Sequence, residues 1–290
     1  MPLDHKRFKV PTNGSFSLSS VRTDDTDGYH GKGDAVEKLA SDVEQLRTLQ
    51  AKLCAQENYG VLVIFQAMDT AGKDGAIKHV MTGVNPQGVD VHNFRTPSSD
   101  DLLHDYLWRS VKVLPQRGHI GIFNRSYYEE VLVVRVHPEL LKTEKIPISK
   151  VTKDIWQQRY EDMNNFERYL TRNGIVVLKF FLHISKEEQR KRLLERVEDE
   201  EKNYKVSMLD IKERGFWKDY MKAYEAMLRN TSTDHAPWYV IPSDHKWFTR
   251  VVVADVLVNA LKKLDPEFPK PTKESRKLLE EVKRALLNEK

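Results

Sequence analysis

Five segments of strand length, most of them apolar runs, alternate along the chain with segments whose apolar residues return every three or four positions. The five are "YGVLVIFQ" (59–66), "GVDVHNF" (88–94), "GHIGIFN" (118–124), "IVVLKFFLHI" (175–184) and "APWYVIPSD" (236–244). Between and around them the spacing is helical. Segment 34–56 places Val36, Leu39, Val43, Leu46, Leu49 and Leu53 on one face, and 72–84 does the same with Ile77, Val80 and Val84. Helices are also predicted over 98–114, opening on Ser98 or Ser99 as cap, and over 151–174, with Gly174 as its stop. Three more follow at 185–199, 217–232 and 246–264, while 125–136 reads as a helix or a turn. Strands alternating with helices of this length predict an α/β fold, a parallel sheet covered on both faces.

Two ends and one interior segment break the rhythm. Residues 1–33 are rich in Ser, Thr, Asp and Gly and predict an irregular arm, ordered where it touches the body. Residues 34–264 carry the alternation, with a charged break at about 198–216, and the proline-rich stretch after Leu264 leads into a short charged helical tail, 265–290.

Composition adds mostly exclusions. The chain of 290 residues is 40% hydrophobic and 31% charged, enough to bury a sizeable core, and has no run near the roughly 20 apolar residues of a membrane span. Its first residues lack the apolar core of a secretory signal, so a cytoplasmic protein is expected. A single cysteine, Cys54, rules out an internal disulfide and reads as packing, and the ten histidines lack zinc spacing. The 47 Lys and Arg against 43 acids leave a net charge of +4, which names no polyanionic partner, and no nucleic-acid-binding signature is present.

The candidate chemistry begins in "LVIFQAMDTAGKDGAIKHV" (62–80), a strand, a loop and a helix in the order of a phosphate-binding loop. A strand turning through Gly72 into a helix aims backbone N–H groups at an anion, and Lys73 can reach a terminal phosphate oxygen. The loop departs from G-x-x-x-x-G-K-[ST] at both ends, with Ala67 for the first glycine and Asp74 for the metal-holding hydroxyl. A carboxylate must then hold the metal that neutralises developing phosphate charge, and Asp69 at the strand exit is the candidate. Asp74 can instead cap the following helix. The strand 118–124 ends on Asn124, followed by Arg125, placed to stabilise a transferring group.

These residues carry a resemblance. "AMDTAGKDGAIKHVMTGVNPQGV", "DYLWR", "GHIGIFNRSYYEEVLVVRV", "LKFFLHISKEEQRKRL" and "STDHAPWYVIPSDHKW", in this order, resemble the polyphosphate kinase 2 family, whose loop has the form A-x-D-x-x-G-K-D-G. The match runs from about Asp34 through Leu264. It implies a three-layer phosphate-loop kinase-like fold with a charged lid, moving a phosphoryl group between inorganic polyphosphate and a nucleoside mono- or diphosphate. Magnesium, with manganese as substitute, is the implied cofactor, and a homo-oligomer the implied assembly.

Residue by residue, the resemblance puts Asp69 on the metal, Lys73 on phosphate, and Ala71, Gly72, Asp74 and Gly75 in the cradle. Arg125 matches the family's strand-end arginine. Asn124 differs from members reading "DRS" and resembles those with NRS-x-YE, many of which accept mono- as well as diphosphates. Glu129 and Glu130 would lie near metal or acceptor, and Arg135 on phosphate. Kinases of this fold close a lid over the phosphates, so Lys202, Lys205 and Arg214 are the expected lid cations. Arg95, at a strand's C-terminal edge, would face the acceptor nucleotide, and Arg190, Lys191, Arg192 and Arg196 offer a basic helix face for polyphosphate. Two rivals remain open: an ATP-dependent kinase of a small metabolite, and a non-catalytic polyanion-binding protein.

Overall fold

The computed structural model describes residues 3–289. Each of the five segments forms a strand: β1 (Gly60–Ala67), β2 (Val89–Asn93), β3 (Ile120–Asn124), β4 (Ile175–His183) and β5 (Trp238–Pro242). They pair in the order β2-β3-β1-β4-β5, every neighbour parallel. β1, β3, β4 and β5 are buried nearly throughout, which is why they read as unbroken apolar runs, whereas β2 at the edge is half-exposed and mixed. The chain moves to one side of β1 for β2 and β3 and to the other for β4 and β5. This reversal opens a crevice at the strands' C-terminal ends, where such sheets bind ligands.

The helices, in chain order, are α1 (Lys32–Gln56), α2 (Lys73–Val80), α3 (Trp108–Val111), α4 (Val133–Val136), α5 (Ile155–Arg172), α6 (Lys186–Glu198), α7 (Met208–Gly215), α8 (Trp217–Thr231), α9 (Lys246–Leu264) and α10 (Lys273–Asn288). α9 lies between the sheet and α1 and is apolar nearly all round, as a buried helix must be. α2 packs beside it, while α5, α8 and the segment after β3 cover the other face.

Two sequence expectations need correction, and one left open is resolved. Segment 98–114 is not one helix. Ser98 and Asp101 cap each other reciprocally, but only a 3-10 turn follows, and the Asp105 side chain accepts from Leu107 N and restarts the chain into the single turn of α3. Segment 125–136, open between helix and turn in the sequence, holds both: a 3-10 turn (Tyr127–Val131) followed by α4. In α1 the buried face is rotated from the apolar stripe: Val36 is 55% exposed, while Asp42 and Gln50 are buried. Lys38 bridges Asp42 to Asp255 of α9, and Gln50 exchanges hydrogen bonds with the Asn85 backbone, so polar residues occupy the inner face because each is paired.

The arm is irregular but closely applied. Lys9 bridges antiparallel to Tyr239, Val10 N donates to Trp238 O at 2.9 Å, and Phe8, Val10 and Leu18 are buried, so the arm covers the β5 edge. Cys54 donates its thiol to Gly118 O and is packing, as its setting in a helix suggested. No helix among the described residues is long and apolar enough to cross a membrane.

Candidate active site

The loop leaves β1 at Ala67 and reaches α2 through two left-handed residues, Thr70 (φ 61°) and Gly72 (φ 107°). Glycine suits the second, since an L side chain there would be strained. Lys73 opens α2 and folds back, donating to Ala67 O at 3.1 Å. Burial lowers its pKa, with Arg125 adding to the effect and Asp69, Glu129 and Asp74 opposing it. An anion seated in the loop would therefore gain a cation short of partners.

Asp69 and Arg125 meet across the loop mouth, Arg125 Nη2 donating to Asp69 Oδ1 at 3.0 Å, with both side chains about 40% exposed (38% and 40%). Arg125 itself is left-handed (φ 62°), and its N–H donates to Phe65 O, which docks the end of β3 on β1. Glu129, the largest influence, raises the Arg125 pKa, so the guanidinium stays charged. Asn124 donates from Nδ2 to Asp74 Oδ1 (2.7 Å) and to Asn93 Oδ1 (2.8 Å). Asp74 thus ties α2 to β3, and no side chain caps α2. An aspartate at 124 would face Asp74 with like charge, and the amide removes that conflict.

An open cleft of about 1150 Å³ lies over the loop, lined by residues 69–75, by Asn93–Thr96, by the end of α6 and the segment after it, and by the first turns of α9. Nine Lys and Arg residues line it against four carboxylates. Ala71, Gly72, Asp74, Gly75, Arg95, Asn124, Lys202 and Lys205 are all in the lining. Lys202 is paired with Asp199, and Lys205 lies over the Tyr204 ring. Arg214, on α7, is outside the lining and donates to Lys186 O and Gln189 Oε1, tying α7 to α6.

Two expected site residues lie elsewhere. Glu130 pairs with Arg159, which also binds Glu144, and Arg135 donates to Tyr160 Oη and lies over Trp156. A 3-10 turn advances three residues per turn, so Glu129 and Glu130 diverge: Glu129 accepts from Gln66 Nε2 at 3.0 Å beside the loop, and Glu130 points into the α5 side.

Arg192 also departs from the expectation of a polyphosphate contact. It is buried, and it donates to Thr70 O, Ala71 O, Ser243 O and Asp244 O and pairs with Glu188, clamping the loop to the end of β5, while Gln189 donates to Asp69 O. Arg196 faces the cleft, but Arg190 and Lys191 are exposed outside its lining. Lys246 and Arg250 were missed. Their i, i+4 spacing just after the β5 end was the available signal, since that edge of the sheet is where ligands bind.

The oxygen donors suit a hard divalent cation. Asp69 and Asp74 carry carboxylates at the loop, and the buried Thr70 hydroxyl beside them has no hydrogen-bond partner. Among the described residues no group of three or more His, Cys, Asp or Glu is arranged to hold a metal ion.

Comparison with known proteins agrees with this geometry. The family model "Polyphosphate kinase 2" matches residues 30–269. An "ADP-polyphosphate phosphotransferase" of Rhodopseudomonas palustris is 45% identical over 288 residues, 99% of this chain and 100% of that one. An "AMP/ADP-polyphosphate phosphotransferase" of Meiothermus ruber is 44% identical over 275 residues, 94% and 99% of the two chains. The crystal structure of polyphosphate kinase 2 from Arthrobacter aurescens TC1 superposes with a TM-score of 0.86 at 39% identity, covering 95% of this chain and 96% of that one. Matched by the family model over residues 30–269 and by relatives along nearly its whole length, the chain belongs to the polyphosphate kinase 2 family.

Proposed function

We propose that this protein transfers a phosphoryl group between inorganic polyphosphate and a nucleoside mono- or diphosphate, directly and in line, with magnesium. The observation that carries the reading is the cation-lined cleft meeting Asp69, Lys73 and Arg125 at the loop. Its volume of about 1150 Å³ exceeds what one small ligand fills and leaves room for two polyanionic reactants. The names of the two relatives, one for ADP and one for AMP and ADP, support the substrates.

An oxygen of the acceptor's terminal phosphate attacks the end phosphorus of the chain, the bridging P–O bond breaks, and the polyphosphate leaves one unit shorter. Lys73 and Arg125 stabilise charge on the transferring group. Magnesium, held by Asp69 with Asp74 and Thr70 beside it, would supply further neutralisation of the phosphate oxygens. In this reading Arg95 and Asn93 serve the acceptor, and Arg196, Lys202, Lys205, Lys246 and Arg250 serve the polyphosphate; all of them line the cleft. The lid between α6 and α8, braced by Arg214, excludes water that would otherwise intercept the group.

The test is to incubate the purified protein with magnesium and long-chain polyphosphate, offer AMP, ADP, GMP and GDP separately, and resolve the nucleotides by chromatography. ATP is expected from ADP, with loss of the product on chelation or in Asp69→Asn. Absence of product from every acceptor, with ATP alone serving as donor to some other substrate, would overturn the reading in favour of a metabolite kinase.

A further inference from the structure

Directly after Arg125, the chain enters a network that the transfer reaction does not touch. Tyr127 and Tyr128 both donate their hydroxyls to Glu167 Oε1, at 2.8 and 2.7 Å. Lys179, in the middle of β4, donates to Glu167 Oε2 (2.6 Å), to the Tyr128 hydroxyl (2.9 Å) and to Thr231 O (2.7 Å). All three ammonium protons are used, and both carboxylate oxygens are occupied. Glu167 and Lys179 are fully buried, and the two tyrosines are buried with them.

Such a pair is a poor device for stability. Taking two charges out of water costs about what their attraction returns, and apolar side chains of similar volume would fill the space equally well. What a fully satisfied network does supply is a single arrangement of its members. That property is needed next door. Arg125 is a non-glycine residue with φ 62°, a conformation that persists only where its surroundings over-determine it. On its N-terminal side it is fixed by the hydrogen bond from its own N–H to Phe65 O, and on the other by Ser126, which is buried and accepts from Tyr128 N.

We propose that Glu167 is a positioning residue for phosphoryl transfer, acting through Tyr127 and Tyr128 to hold the Arg125 guanidinium at the loop mouth. Glu167 touches neither reactant. It gathers the hydroxyls of the two residues that follow the strand-end turn and fixes them to α5 and β4, so the turn carrying Arg125 cannot relax. The inference rests on the reading of Arg125 as the cation of the transfer step.

The test uses Tyr127→Phe/Tyr128→Phe, which removes the two hydroxyls and keeps the Glu167–Lys179 pair, alone and combined with Arg125→Lys, in the full chain. The circular dichroism spectrum should be unchanged, and kcat for ATP formation should fall by about tenfold or more, with both KM values within about twofold, because a displaced cation loses transition-state contact. In the Arg125→Lys background the same double change should cost less than about twofold, because the group being positioned has already been altered. Equal losses in both backgrounds, or a loss of thermal stability with kcat retained, would show a purely structural network and overturn the proposal. If the double variant does not fold, Tyr127→Phe alone, which leaves every Lys179 bond in place, decides by the same comparison. Should Arg125→Lys by itself keep full turnover, the reading of Arg125 fails; a collapse there with multiplying losses sinks only the role of Glu167.

Discussion

Replacing Arg192 by methionine removes the clamp that ties the phosphate loop to the sheet. The native guanidinium is 3% exposed and makes hydrogen bonds of 3.1 Å to Thr70 O, 3.1 Å to Ala71 O, 2.6 Å to Ser243 O, 2.9 Å to Asp244 O and 2.8 Å to Glu188 Oε1. Summed at about 1.5–3 kcal/mol per charge-assisted bond, the loss would be an overestimate, because the loop carbonyls border the open cleft and water can replace part of what is lost. The Ser243 carbonyl belongs to a fully buried residue and has no such relief. Breaking a buried pair by removing one partner costs about 3–5 kcal/mol, which is the better guide. For a chain of this size that corresponds to a fall in melting temperature of about 6–20 °C, short of unfolding a domain with typical stability. Loss of loop placement should lower kcat by about a hundredfold. Differential scanning calorimetry and steady-state kinetics with ADP and polyphosphate measure the two effects. If Arg192 were instead a polyphosphate contact, the melting temperature would stay within about 2 °C, and the KM for polyphosphate would rise and become more sensitive to salt. That result would refute the clamp.

Three further outcomes are expected. Lys73→Ala should abolish turnover while leaving the unfolding transition in place, and a variant retaining most of its rate would remove the loop's claimed role. Asn124→Asp sets a carboxylate against Asp74 and should lower thermal stability and weaken ADP turnover, with Asp74→Asn in the same chain restoring the lost stability; failure of that rescue would argue against the Asn124–Asp74 contact. Burial, and next the charge of Glu144, push the Glu130 carboxyl up to about 8 from an ordinary value of 4.5, so the folded state holds a proton that the unfolded chain releases. Its contribution to stability is full below pH 4.5 and fades as pH rises toward 8. Between roughly pH 7 and 8 the wild type should lose on the order of 1 kcal/mol that Glu130→Gln keeps, as read by urea unfolding. His183, lowered by burial to about 4, works in the opposite direction but only below its ordinary 6.5, outside that window.

The sequence alone determined the architecture, because burial on both faces leaves a largely apolar run in four strands, and the mixed edge segment that became β2 still stands out between helical stretches. It also determined the phosphate loop, since a glycine-lysine turn between strand and helix is a local construction, and the ordered motifs carried the family. Only the tertiary structure decided which charged residues serve the cleft. Glu129 and Glu130 are neighbours in the chain, and a 3-10 turn sends one to the loop and the other to Arg159. Arg192 and Arg196 share a helix, yet one is spent on backbone carbonyls and the other faces the cleft. Lys246 and Arg250 come from the far end of the chain and reach the site because β5 is the last strand laid on the sheet. Periodicity records which face of an element is apolar. It does not record which polar partner, distant in sequence, makes a buried charge affordable, and in this protein those partners separate the residues that hold the site from those that line it.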